Sequence, residues 1–245
     1  MTSPAIIGVD CATQPKKCGI ARGRIDGTRV VVEQVALGSD VASVSQTIAS
    51  WVVEPTLIAI DAPLGWPHGL ARELAKHRAG QAIESSPAEM FNRLTDRFLH
   101  ARIGKKPLEV GADRIARTAH AALTLLRELR ERLGREVALQ WSPSLLAVGA
   151  IEVYPAATLL SRKLDIKGYK ASGEGGIDAR RRLLDSLESV WELRVDRALL
   201  ETNDDRLDAA VCLIAGADFL NGRCFGPKPE ERAQAEKESW IWCAG

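Results

Sequence analysis

The stretch AIIGVDCA, residues 5–12, is the most informative part of this sequence. It is an almost unbroken run of apolar and small residues that leads into a single acid, Asp10. A continuous apolar run with β-branched residues predicts a strand buried on both faces of a sheet. A carboxylate in such a strand is unfavourable unless it is paired or holds a cation. Asp10 is therefore expected to have a specific partner.

Two more strand-like runs repeat this combination. The run TLIAIDAPL, residues 56–64, carries Asp61, and the run GAIEVYP, residues 149–155, carries Glu152. Because parallel strands bring their carboxyl ends together at one edge of a sheet, we expect Asp10 and Asp61 to be neighbours. For Glu152, an ion pair with a nearby arginine or a bond to a loop amide is an equally good explanation.

The order of predicted elements indicates an α/β protein with a mixed sheet. Strand-like residues 18–25 and 29–37 flank Asp26-Gly27, a hairpin signal, so the chain opens with three antiparallel strands. A helical pattern over 40–53 then precedes the strand at 56–61, which predicts a crossover to a parallel neighbour. We assign 68–135 as a mainly helical insert, and 178–191 and 203–220 as helices. The segment 226–239 is predicted to lie at the surface before a Trp-rich tail that folds back.

Composition limits the class of protein. With 245 residues, 46% of them hydrophobic, the chain 1–245 is predicted to form one large domain. The net charge of +1 argues against a binder of bulk polyanions. The five cysteines are scattered, which disfavours a disulfide framework or a zinc site. No secretory signal or apolar run of about 18 residues is present, so we expect a cytoplasmic protein that does not span a membrane.

A further pair of acids lies on the predicted helix 203–220. Asp205 and Asp208 are three residues apart and so share one face, which continues as Cys212, Ala215 and Phe219. An acid at Asp205 is also explained by the favourable charge of a helix N-terminus. Asp208 lies one turn further along, and we expect it to point inward.

Several carboxylates at one place need a cation. Two of them about 4 Å apart repel by roughly 4 kcal/mol at an effective dielectric constant of 20, which raises their pKa values unless a cation lies between them. Oxygen ligands without His or Cys select Mg²⁺ or Mn²⁺. A pair of such ions suits in-line displacement at phosphorus. The sequence therefore predicts a Mg²⁺ or Mn²⁺ site, with two ions.

Five motifs and the tail ESWIW at 238–242 resemble an uncharacterised family of predicted RNase H-like nucleases. In order, these motifs are GVDCAT at 8–13, IDAPLGWP at 60–67, RLTDR at 93–97, EVYPAA at 152–157 and DDRLDAA at 204–210. The family is similar in layout to RuvC-type resolvases. The resemblance implies an RNase H-like fold, a five-stranded mixed sheet with flanking helices, for which we predict the strand order 3-2-1-4-5.

The resemblance also implies a nuclease. Asp10, Asp61, Asp205 and Asp208 would be both catalytic and metal-binding, with Asp10 bridging two ions. Glu152 belongs to the family's own EVYP motif and is kept as a further catalytic candidate. The reaction would be hydrolysis of a phosphodiester bond in nucleic acid, with DNA and RNA both open.

The insert carries a local excess of positive charge. Between residues 91 and 117, seven basic residues stand against three acidic ones. An ordinary solvated helix face is the simpler explanation for any one of them. As a group they follow the Asp61 strand, so we expect them to bind phosphates, with Lys105 and Lys106 at the tip and Arg93 and Arg97 nearer the metals.

Two other classes remain open. Phosphotransferases of the actin and sugar-kinase type share this fold, and Asp10 with Thr13 faintly resembles their first phosphate loop, but they use two such domains. A non-catalytic scaffold that binds nucleic acid is the third reading, although it gives no reason for four acids to point together. Stabilisation by Mg²⁺ or Mn²⁺ would favour the nuclease, and stabilisation by ATP the phosphotransferase.

Overall fold

The computed structural model describes residues 3–111 and 113–245, so that Met1, Thr2 and Ala112 lie outside it. The described strands form one mixed sheet, in the order β5-β6-β4-β1-β2-β3-β7. The strands are β1 Ala5–Asp10, β2 Gly19–Asp26, β3 Arg29–Leu37, β4 Thr56–Asp61, β5 Ala138–Leu139, β6 Val148–Glu152 and β7 Trp191–Leu193.

Helices flank the sheet. They are α1 Val44–Trp51, α2 His68–Leu74, α3 Pro87–Phe91, α4 Leu94–Ile103, α5 Asp113–Leu133, α6 Pro155–Ser161, α7 Glu174–Ser186, α8 Ala198–Glu201, α9 Asp204–Leu220 and α10 Arg232–Glu238. Short 3-10 turns occur at Pro15–Lys17 and Pro229–Glu231. None of the helices in the described part of the chain is long and apolar enough to cross a membrane.

The prediction of a five-stranded sheet is wrong, because the sheet has seven strands. The predicted order 3-2-1-4-5 is found in its centre as β3-β2-β1-β4-β6, and β5 and β7 are added at the two edges. These edge strands are only two and three residues long. Segments that short leave no period-two pattern in the sequence, and Trp191 was assigned to the end of a helix for that reason.

The pairing of β1 fixes the centre of the sheet. β1 is antiparallel to β2, and it is parallel to β4 with Asp10 directly opposite Asp61. β4 is in turn parallel to β6, with Ile60 opposite Glu152. The carboxyl ends of β1, β4 and β6 therefore meet at one edge.

Different helices pack on the two faces of the sheet. Ile7 and Val9 of β1 pack in the cluster that contains α1 and α5, whereas Ile6 packs with α9. Side chains alternate between faces along a strand, so Asp10, which has the parity of Ile6, points towards α9. Leu57 and Ala59 of β4 also pack with α9, and Asp61 has their parity.

Helix α9 lies unusually close to β1. A Cβ atom added at Gly8 would be 2.0 Å from the carbonyl oxygen of Ala209. No side chain fits at that distance, so the glycine is what allows the backbone of α9 to touch the strand. This contact places Asp208, the residue before Ala209, over the end of β1.

The C-terminal segment packs on the body of the protein. Trp240 and Trp242 are buried, and the backbone N–H of Ile241 donates to the hydroxyl of Thr95 in α4. The segment 226–239, expected at the surface, includes the buried residues Ala235 and Glu238. The carboxylate of Glu238 accepts the backbone N–H groups that begin α2 and α4, so this segment anchors the insert.

Candidate metal centre

Three acids predicted from the sequence come together at the edge where β1 and β4 end. Asp10 and Asp61 occupy paired positions on these strands and point to the same face. Asp208 reaches them from α9, which covers that face. One carboxylate oxygen from each residue lies within 4.8 Å of the other two.

The charges of these acids oppose one another. Burial, followed by the charges of Asp208 and Asp61, raises the pKa of Asp10 well above its ordinary value. Burial and the charge of Asp208 raise the pKa of Asp61 to about 8. Without a cation the group therefore retains protons near neutral pH, and a cation would allow all three acids to ionise.

Asp205 lies just outside this group. It is half-buried in the first turn of α9, one turn before Asp208. Burial raises its pKa, and its charge contributes to the raised pKa of Asp10. Asp205 is thus near enough to act on the site, although it is not one of the three acids whose oxygens converge.

Two residues that the sequence did not single out contact Asp208. The hydroxyl of Tyr169 donates to Oδ1 of Asp208 at 3.0 Å. The Nζ atom of Lys170 lies 2.5 Å from Oδ2 of the same carboxylate. Both residues belong to the stretch KGYKASGEGG, residues 167–176, whose glycines and small polar residues are typical of a flexible loop. The presence of a tyrosine and a lysine among the small and polar residues of this loop was the only sequence signal that could have pointed to a role at the site.

Glu152 belongs to a different structure. It pairs with Ile60 in the sheet and so has the parity of Ile60, which packs towards α5 rather than α9. Its carboxylate accepts two hydrogen bonds from the guanidinium of Arg93, at 2.8 and 2.9 Å, and one from the backbone N–H of Leu64. These donors satisfy the carboxylate and favour the ion-pair explanation. Glu152 also lines the cavity beside Asp10 and Asp61, and its charge adds to the burial and the Asp208 charge that raise the pKa of Asp61, so its catalytic role stays a prediction.

The same network corrects the expectation for Arg93. Its side chain is 1% exposed, and it also donates to both carboxylate oxygens of Asp96. An arginine buried between two carboxylates has no free donor for a phosphate. Arg93 therefore fixes the start of α4 against β6 through Glu152 and is not available to bind a phosphate.

The other predicted phosphate-binding residues are exposed. Arg97 donates to the carbonyl oxygen of Asn92. Lys106 forms an exposed ion pair with Glu109 at 2.7 Å, and Lys105 follows the left-handed Gly104 that ends α4. These three side chains are accessible to a ligand.

A cavity of about 250 Å³ opens beside Asp10 and Asp61. Its lining also includes Lys170, Tyr154, Arg93 and Glu152. The insert supplies another wall through Pro107, Leu108, Ile115 and Thr118. The basic insert thus borders the space in front of the acids.

The donor set suits a hard divalent cation. The three converging groups are carboxylates, and such oxygen donors favour Mg²⁺, Mn²⁺ or Ca²⁺ over the softer metals. Burial and the charges of the neighbouring acids raise the pKa values of Asp10 and Asp61, so a bound cation would favour their ionised forms. The residues present therefore fit a divalent metal ion.

Fold and site together define an α/β protein with a carboxylate centre at the carboxyl edge of a mixed sheet. The chain belongs to the family described as "Protein of unknown function (DUF429)", whose model matches residues 8–232. The matched region contains all four acids and Lys170. Comparisons with curated proteins and with solved structures gave no match.

Proposed function

We propose that this protein is a metal-dependent nuclease with an RNase H-like architecture, which hydrolyses phosphodiester bonds of DNA or RNA. The observation that carries the proposal is the convergence of Asp10, Asp61 and Asp208, with an oxygen of each within 4.8 Å of the others. Carboxylates buried this close to one another are costly unless a cation joins them. The resemblance of the acid-bearing motifs to predicted RNase H-like nucleases supports the same conclusion.

The four acids have different roles in this proposal. The charges of the other three acids all add to the burial that raises the pKa of Asp10, and this residue would bridge two Mg²⁺ or Mn²⁺ ions in the nucleic-acid complex. Asp61, Asp205 and Asp208 would complete the ligand sets. Bound ions of this kind supply an activated water and stabilise the charge that develops at phosphorus. No histidine is needed as a general base.

The insert supports nucleic acid as the substrate. Pro107 and Leu108 of the basic segment line the cavity beside the acids, and the exposed Lys105 and Lys106 directly precede them in sequence. Arg97 is exposed on α4 of the same segment. Phosphate contacts by such residues supply affinity without reading sequence. A cytoplasmic location is part of the proposal and is supported by the five cysteines, all of which are free thiols.

The direct test is cleavage of a panel of DNA and RNA single strands, hairpins and junctions in the presence of Mn²⁺. We expect wild-type protein to cleave at least one of them, and Asp10→Asn to reduce cleavage to background. The substitution removes a charge that the metal needs while relieving repulsion in the metal-free protein, so the fold is retained. Circular dichroism checks the fold.

Asp26→Asn is the matched control. Asp26 is the last residue of β2, at the opposite end of that strand from Gly19, which pairs with Asp10. The same chemical change there should leave cleavage unaltered. Equal cleavage by Asp10→Asn and wild type would contradict the proposal.

A further inference from the structure

The three converging acids are not equivalent. Asp10 and Asp61 line the open cavity. Asp208 is 1% exposed, and each of its oxygens already has a partner, the hydroxyl of Tyr169 on one side and the ammonium of Lys170 on the other. The protein therefore places a positive charge of its own on one of the acids.

A buried arginine holds the loop that carries this charge. The guanidinium of Arg180, 3% exposed, donates to the carbonyl oxygens of Tyr169 and Ala171 at 2.5 and 3.2 Å, and to that of Glu201 at 2.6 Å. Two of these carbonyls directly flank Lys170. A buried cation is costly unless its donors are hydrogen-bonded. These bonds satisfy donors of Arg180 and hold residues 169–171 in one conformation.

A close contact on the same loop supports this interpretation. A Cβ atom added at Gly176 would lie 1.8 Å from the carbonyl oxygen of Ala171. The start of α7 thus packs directly against the residue that follows Lys170. The side chain of Lys170 is 53% exposed, yet the backbone that carries it is fixed by Arg180 and by the start of α7.

The charges of the site then balance with one divalent ion. The three converging carboxylates carry three negative charges when ionised. One divalent ion and the ammonium of Lys170 supply three positive charges. Two divalent ions together with Lys170 would leave an excess of positive charge, even when Asp205 is counted, until the phosphates of a nucleic acid arrive.

We propose that Lys170 serves as a resident cation of the metal centre, so that in the absence of nucleic acid the site binds one divalent ion, through Asp10 and Asp61. This inference rests on the proposed metal centre and specifies its composition. The second ion enters with the substrate, whose phosphates balance its charge. Lys170 acts by neutralising Asp208 and is a positioning residue for the first ion.

The test is a titration of metal-free, nucleic-acid-free protein with Mn²⁺, in which free Mn²⁺ is measured by electron paramagnetic resonance. We expect one Mn²⁺ per chain for wild type. Lys170→Met, which retains the length of the side chain without its charge, should bind two. Lys170→Arg should bind one, because it restores the charge.

Lys167→Met is the matched control, since Lys167 is exposed on the same loop and its described hydrogen bond uses only its backbone N–H. It should behave as wild type. Circular dichroism establishes that each variant is folded.

The possible failures are distinguishable. Two ions in both wild type and Lys170→Met, or one in both, would overturn the role of Lys170 while leaving the metal centre in place. Binding that appears only in Lys170→Met would overturn the single-ion composition. No saturable Mn²⁺ binding in either protein would overturn the metal centre itself, and with it the proposed nuclease.

Discussion

The carboxyl group of Asp61 links the stability of the metal-free protein to pH. An unfolded chain ionises this group near its ordinary pKa of 3.8, whereas burial and Asp208 raise the pKa to about 8 in the folded protein. Above pH 4 the unfolded state therefore releases the proton more readily than the folded state. The contribution of Asp61 to stability is complete below about pH 4 and is lost as the pH rises to about 8.

We therefore expect the free energy of unfolding, measured by urea denaturation in the presence of a chelator, to fall between pH 5 and pH 8. Asp61→Asn should reduce this fall, because the amide does not titrate. Saturating Mn²⁺ should also reduce it for wild type. A pH dependence that is the same for wild type and Asp61→Asn would show that Asp61 is ionised in both states.

Glu152 gives a second prediction, which separates a structural role from a metal-binding one. Its carboxylate is 2% exposed and accepts three hydrogen bonds, two of them from Arg93. Breaking a buried ion pair by removing one partner costs about 3–5 kcal/mol. Glu152→Gln should thus lower the free energy of unfolding by an amount of that order while leaving the affinity for Mn²⁺ unchanged. A loss of Mn²⁺ affinity in a variant that remains folded would show that Glu152 contributes to metal binding.

The metal centre depends on the close approach of helix α9 to the sheet, which Gly8 of β1 and Gly19 of β2 both permit. Gly8→Ala would push the backbone of α9 away from the sheet, because the added Cβ overlaps the carbonyl oxygen of Ala209. We expect a loss of stability together with weaker Mn²⁺ binding, since Asp208 moves with the helix. Thermal melting and Mn²⁺ titration measure the two effects.

Gly175→Ala is the control for this prediction. A Cβ added at Gly175, in the first turn of α7, meets no atom within 4 Å, and its backbone does not need a positive φ. Replacing glycine by alanine in a helix generally stabilises it, by up to about 1 kcal/mol. If Gly8→Ala were as well tolerated as Gly175→Ala, the close approach of α9 to β1 would be incorrect.

The basic insert yields a prediction about salt. Lys105→Ala with Lys106→Ala should weaken binding of nucleic acid and reduce the dependence of log K on log salt by about 0.7 to 0.9 for each lost phosphate contact. Melting temperature and Mn²⁺ affinity should not change, because both side chains are exposed. Fluorescence anisotropy at several salt concentrations measures the slope.

Lys76→Ala with Lys228→Ala removes the same charge from exposed positions outside the basic stretch 91–117 and should leave the slope as in wild type. If the slope were also unchanged in the Lys105 and Lys106 variant, these two lysines would not bind phosphates and would be ordinary charged surface residues.

The centre of the sheet was predictable from sequence because its strands are long apolar runs. The runs ending at Asp10 and Asp61 identified both the buried strands and their acids, and the spacing of Asp205 and Asp208 identified the helix that covers them. These signals are local, and each depends on a few adjacent residues. The two edge strands were missed because two or three residues form no pattern.

The rest of the site depends on contacts that are distant in sequence. Lys170 reaches Asp208 across 38 positions, and the loop that carries it has no regular pattern. Glu152 was recognised as an unusual buried acid, but its partner Arg93 lies 59 residues away. A sequence shows that a buried charge needs a partner, whereas only the fold shows which residue it is.

The short edge strands also bear on how the molecule behaves at high concentration. Open sheets risk adding a strand from another molecule, because an edge presents unpaired N–H and C=O groups, and proteins limit this risk with very short edge strands. With two residues in β5 and three in β7, these outermost strands offer little on which a foreign strand could continue. Because β7 pairs only with Val30–Val32 of β3, strand addition would have to use residues 33–37 of β3 or require the edges to unfold first.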